Sequence, residues 1–214
     1  MTFNGWPAEA IEFYEGLTAD NSRSYWQAHK ADYEEFVRRP MIELLAELEP
    51  EFGEGKIFRP YRDLRFSKDK TPYKTSIAAT LAHGGYVALS ADGLSAGSGS
   101  YHLEPDQLDR FRRAVADDSS GAKLADIVAT VRRAGLQIAA HDVLKTCPKG
   151  YPKDHPRVEL LRYKGLITWT QWPAGAWLGT SEAKERVAGF LRASTPLNDW
   201  LAAHVGDSEL AAGR

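Results

Sequence analysis

Apolar residues follow helical spacing over roughly the first fifty positions, then strand spacing, then helical spacing again. Pro7 stands at an early helical position, and Ile11, Phe13, Tyr14 and Leu17 follow it, which predicts a helix over 7–17. A second helix is predicted over 22–39. Asn21 or Ser22 can cap it, and Tyr25, Trp26, His29, Tyr33, Phe36 and Val37 form one stripe, on which His29 reads as a packed core histidine. Pro40 breaks or restarts this helix, and residues 41–48 continue it.

The texture then changes. Residues 57–66 and 75–83 read as extended. Residues 85–91 and 94–103 flank "ADGL", where Asp92-Gly93 fits a two-residue type I′ turn. Such a turn sets a register in which Val87 faces Ser98, Tyr86 faces Gly99 and His83 faces His102. Helices are predicted over 105–116, on Leu108, Phe111 and Val115, and over 122–133, on Leu124, Ile127, Val128 and Val131, with Gly135 ending the second. "LQIAA" reads as a short strand, "CPKGYPKDHPR" as a loop, 156–163 as a short helix and "LITWTQW" as a strand. Closing helices are expected over 181–192 and 197–205. The order predicts an α+β fold: one domain over 1–205, a largely antiparallel sheet flanked by N- and C-terminal helices, and a flexible tail over 206–214.

Length and composition agree with a globular domain: 214 residues, 43% hydrophobic and 26% charged. The chain opens with neither a basic stretch nor an apolar run, and no apolar run approaches a membrane span of about 18 residues. The lone Cys147 excludes an intrachain disulfide and a thiolate cluster, and reads as an incidental thiol. A cytoplasmic protein is expected, monomeric or a small homo-oligomer, without membrane association.

Charge changes the picture more. The net charge is −2, and the pI near 6.3 argues against a protein that coats nucleic acid. Yet residues 1–55 hold twelve acids and four bases, while "RPYRDLRFSKDKTPYK", residues 59–74, holds six bases and two acids. In an extended segment Arg59, Tyr61, Asp63 and Arg65 share one face, and Arg62, Leu64 and Phe66 the other. Pro60 restricts such a strand to an edge or an irregular stretch. A carboxylate between two guanidiniums fixes both, and their remaining donors suit phosphate or carboxylate. Lys70, Tyr73 and Lys74 can close over a bound anion, and Pro72 stiffens their loop. The alternative is architectural: the arginines pair with the acidic N-terminal helices.

These residues also carry a resemblance. Arg59-x-x-Arg62-Asp63-x-Arg65-Phe66, followed by Asp69-Lys70-x-Pro72-Tyr73-Lys74, resembles the signature of a bacterial family of conserved hypothetical proteins, domain of unknown function 2461. "NSRSYWQAHKADYEEFV", "SADGLSAGSGSYHLEPDQL" and "KGYPKDHPRVELLRYKGL" are similar to segments of the same family, so the likeness spans nearly the whole chain except the tail. It implies a single domain of this length. It implies no activity, cofactor or catalytic residue.

A second basic segment, 145–164, holds six bases and two acids. There Arg157 and Arg162 are candidate partners of the first segment, together with backbone N–H groups at a helix start near Pro156; an ordinary solvated face is the alternative. His83, His102 and Glu104 form a weaker candidate metal set. Three functions follow. The first is a pocket for a small phosphate- or carboxylate-bearing ligand, with or without chemistry. The second is a nucleic-acid binder with Tyr61 or a tryptophan stacking on bases. The third is a purely structural Arg–Asp network. Asp63, pinned by arginines, is a poor general base.

Overall fold

The computed structural model describes residues 2–65 and 69–210. Helix α1 spans Ala8–Ala19, α2 Arg23–Ala28, α3 Lys30–Asp32 and α4 Arg39–Phe52. A π-helical segment, Tyr33–Arg38, lies between α3 and α4. Strands β1 (Gly55–Ile57), β2 (Ser76–Leu81), β3 (Gly85–Ser90) and β4 (Gly93–Ser100) follow. Then come α5 (Pro105–Ala116), α6 (Asp118–Arg133), β5 (Gln137–Ala139), α7 (Val158–Leu161), β6 (Leu166–Pro173) and α8 (Glu182–His204). The strand order is β1-β2-β3-β4-β6-β5, and β1 with β2, β2 with β3 and β5 with β6 pair antiparallel. The class is α+β, as the element order predicts. The chain divides into two compact units, residues 1–96 with 171–191 and residues 97–170 with 192–214.

The first unit is built on the predicted stripes. Phe13, Tyr14 and Leu17 of α1, Met41, Leu44, Leu45 and Leu48 of α4, and Ile77, Ala79, Val87 and Leu89 of β2 and β3 are buried. Ser22 caps α2 by accepting from the Tyr25 N–H at 3.1 Å. Pro40 is the second residue of α4, and the backbone enters it helically from the π-helical segment that ends at Arg38, so the missing N–H forfeits one helical hydrogen bond at that junction. The Glu47 carboxylate accepts from the Phe3 N–H at 2.7 Å and meets Lys184 Nζ at 2.8 Å, tying the N-terminal segment and α8 to α4. The Lys184 hydrogen bond and then the Phe3 N–H hold Glu47 below its ordinary value of 4.5. A depressed carboxylate stabilises the fold above its unfolded value and loses that contribution as pH falls through the folded one. Glu47→Gln is therefore expected to melt below wild type at neutral pH, with the gap closing as pH drops below 4.5. Melting curves of both proteins across that range check this, and a gap independent of pH would sink it.

The second unit has its own core: Phe111, Val115, Leu124, Val128, Leu160, Leu161, Leu166, Leu197, Trp200 and Leu201 are buried together. Asp117 caps α6 through the N–H groups of Ser119 and Ser120. Residues 206–209 are tied to α5: Arg110 donates to the Asp207 carbonyl, and Asp106 accepts from Ser208 Oγ and the Glu209 N–H.

Two local expectations are corrected. The β3–β4 loop is Ala91-Asp92, because β4 already begins at Gly93. Gly93 is needed for φ +118° and for close approach, since a Cβ there would lie 2.3 Å from the Trp172 carbonyl oxygen. The predicted partners are thus displaced. His83 falls in the turn after β2, and His102 follows β4. The closing helix is also continuous through Pro196. Proline forfeits one helical hydrogen bond, and burial of Leu191, Leu197, Trp200 and Leu201 on either side offsets that loss.

Candidate functional site

The 58–74 segment belongs to the first unit and is an irregular hairpin, not a long strand. Strand β1 stops at Ile57, and Pro60, with no N–H to donate, interrupts pairing. Pairing resumes for a single step. Tyr61 and Tyr73 form an isolated antiparallel bridge, with the Arg62 N–H on the Pro72 carbonyl at 2.9 Å and the Lys74 N–H on the Pro60 carbonyl at 2.8 Å. The expected alternation nonetheless holds. Arg59, Tyr61, Asp63 and Arg65 are exposed, while Arg62 and Leu64 are half-buried. Phe66, assigned to the inner face, lies outside the described residues.

The inward set holds the hairpin together. Arg62 donates to Asp69 and, at 2.6 Å, to Thr71 Oγ1. Asp69 also accepts from the Thr71 N–H and hydroxyl, both at 2.9 Å. The Thr71 N–H, the Thr71 hydroxyl and then Arg62 keep the Asp69 carboxyl below its ordinary range. Lys70 Nζ donates to the Leu64 carbonyl at 2.9 Å, closing the loop. Lys74 lies over the Phe58 ring at 5.4 Å.

Tyr73 is the anchor. It is 4% exposed, and its ring stacks on Trp26 at 4.5 Å and 9°. Its backbone pairs with the Asn21 side chain in both directions, at 3.0 and 3.1 Å, as a neighbouring strand would. By sequence Asn21 is a candidate helix cap, and the cap of α2 is Ser22 instead. A pairing across 52 positions leaves no local signal. Tyr33, the first residue of the π-helical segment, packs its ring 4.9 Å from that of Trp26, and burial pushes its phenol up to about 12.

The outward set is different. Arg65 grips Asp63 in a fork, Nε to Oδ1 at 3.0 Å and Nη2 to Oδ2 at 2.6 Å, and the Arg65 N–H adds a third bond. These bonds, and to a smaller extent the Arg59 charge, keep the Asp63 carboxyl low, so it stays ionised and is a weak base. The Arg65 side chain remains 76% exposed. Tyr61, on the same run, is 50% exposed.

The second basic segment belongs to the second unit and turns largely to architecture. Arg157, only 12% exposed, donates to the carbonyls of Val115, Ala116 and Asp117 at 2.7, 3.0 and 3.2 Å and pairs with Asp118. It thereby satisfies the Val115 and Ala116 carbonyls, open at the end of α5, and shares the Asp117 carbonyl with the Gly121 N–H. The Arg157 N–H is taken by His155 Nδ1 at 3.0 Å, and α7 is a single turn. Arg162 Nε donates to the Leu144 carbonyl at 2.5 Å, and Lys164 pairs with Asp142.

The candidate metal residues have other surroundings. His83 Nδ1 lies 3.4 Å from the Glu51 carbonyl, the His102 ring packs on His141 at 5.8 Å, and Glu104 closes a capping box with Gln107. Among the described residues, no group of three or more His, Cys, Asp or Glu is placed to hold a metal ion. Cys147 Sγ points at the carbonyls of Tyr151 and Pro152.

Residues 9–200 match the conserved hypothetical protein family DUF2461. The chain belongs to that family. The DUF2461 match takes in the whole hairpin, its anchors Asn21 and Trp26, and the Arg157 clamp. No curated protein and no solved structure matches the chain. Among the described residues, no helix is long and apolar enough to cross a membrane.

Proposed function

We propose that the outward face of the 58–74 hairpin recognises a small phosphate- or carboxylate-bearing ligand. Arg59 and Arg65 are the cationic contacts, and Asp63 orients Arg65. Arg62, Lys70, Tyr73 and Lys74 are the frame behind them. The observation that carries this reading is the alternation of exposure from Arg59 to Arg65, which separates the arginine that braces the hairpin from the two that face solvent. A guanidinium held in a carboxylate fork is pre-organised, so less side-chain freedom is lost when an anion arrives. The architectural reading accounts for the inner residues. It also covers the Arg65–Asp63 pair, but it assigns no role to the exposed Arg59.

Melting of wild type, Arg59→Ala and Arg65→Ala against inorganic phosphate, sugar phosphates and carboxylates tests the proposal. A ligand at a hundred times its dissociation constant adds about 2.7 kcal/mol, roughly 5–10 °C for a chain of this size. A shift in wild type that is lost in both variants, each folded without ligand, is the expected result. No shift with any anion would return the hairpin to architecture.

A further inference from the structure

We infer that the ligand of this face is a nucleotide-type molecule, whose base stacks on Tyr61 while its phosphate meets Arg59 and Arg65; this rests on the anion-recognition reading of the same hairpin.

Tyr61 is a large aromatic ring that is half exposed and lies between the two outward arginines in an alternating run. Such a ring normally turns inward. Here the inner place is taken: Tyr73 is stacked on Trp26, and Tyr61 leans on that pair at 5.5 Å from Tyr73 and 6.2 Å from Trp26. The ring is therefore backed by two buried aromatics while half of its surface stays open. A platform already fixed loses little entropy on stacking. Phe58, 38% exposed, stands at the start of the same hairpin beneath Lys74. Exposed aromatics interleaved with cations combine base stacking with phosphate neutralisation. A sugar phosphate or a simple carboxylate uses the cations alone and leaves the aromatic platform without a purpose.

The π-helical segment gives independent support. Segments of this kind are rare and often stand at functional sites. This one begins at Tyr33, whose ring packs on Trp26, the residue that also backs Tyr61. The chain's net charge of −2 argues against duplex coating. The base-plus-phosphate chemistry can come from a free nucleotide or from a single strand.

Equilibrium binding of four probes to the full chain tests this: adenosine monophosphate, ribose 5-phosphate, inorganic phosphate and an eight-residue oligothymidylate. Wild type is expected to bind the mononucleotide more tightly than ribose 5-phosphate. Tyr61→Ala should weaken mononucleotide binding roughly 5- to 150-fold, the range for one stacked base, and leave ribose 5-phosphate unchanged. Tyr61→Phe should retain the preference, which separates stacking from loss of the hydroxyl or of the fold. Arg59→Ala should weaken all phosphate-bearing probes. Tighter binding of the oligomer with a steep salt dependence identifies a single strand as the source, and equal or weaker binding a free nucleotide. Equal affinity for mononucleotide and ribose 5-phosphate, indifferent to Tyr61, overturns the inference and leaves the anion reading standing. Binding of none of the four overturns both.

Discussion

Arg157→Ala is expected to lower stability by about 3 kcal/mol, roughly 6–12 °C in melting temperature, although it removes a charge from a positively charged segment. The reason is the guanidinium's position at the end of α5, where it donates to three backbone carbonyls. Two of them, on Val115 and Ala116, are open because the last turn of a helix has no internal donors for them, and truncation at 157 leaves these two unpaired next to the apolar core, while the Asp117 carbonyl keeps the Gly121 N–H. Space around the clamp is already tight: a Cβ on Gly121 would lie 2.5 Å from Arg157 Nε. The ion pair with Asp118 contributes little by comparison, because that carboxylate is fully in solvent. Arg157→Lys should not rescue, since one ammonium cannot span the fork of carbonyls. Asp118→Ala should be indistinguishable from wild type, because the exposed carboxylate is screened by solvent. Urea unfolding of the three variants decides the matter. An Arg157→Ala protein as stable as wild type would show that the residue is not a helix clamp.

Trp26→Ala is expected to cost about 3–5 kcal/mol, the usual range for deleting a buried aromatic, and to release the hairpin as well. Trp26 contacts Phe13, Tyr33, Tyr61 and Tyr73, so its loss opens a cavity beneath the hairpin and removes the surface on which Tyr73 stacks. Asn21→Ala removes the other anchor and should cost less, about 1–2 kcal/mol, because it breaks two hydrogen bonds without leaving a large void. Unfolding measurements give the energies, and hydrogen exchange at the Arg62 and Lys74 N–H groups, which pair across the hairpin, reports the hairpin. Protection unchanged in both variants would mean that the hairpin is held from elsewhere.

Much of the frame was legible in the residues themselves. The stripes of α1, α4, α5 and α6 follow from helical spacing, and most of the residues that the period selects are buried, with Ile11, Leu108 and Ile127 half-buried at the stripe edges. The split of Arg59, Tyr61, Asp63 and Arg65 from Arg62 and Leu64 follows from alternation, and it survives although the segment is not a strand. Alternation needs only an extended backbone, while a strand also needs a partner at each step, and Pro60 denies one. The β3–β4 turn was misplaced by one residue. Gly93 suits a tight turn and equally suits a close approach to the Trp172 carbonyl, and local sequence cannot tell the two apart.

The sequence alone determined the α+β class, the elements with strong periodicity and the two outward arginines, because spacing and backbone geometry act over a few residues. Only the tertiary structure decided what the charged groups do. Arg62 braces a hairpin, Arg157 closes a helix, Asn21 pairs with Tyr73, and Tyr61 is left half open because Tyr73 already occupies the place against Trp26. Each of these depends on contacts between segments far apart in the chain, which local spacing does not encode.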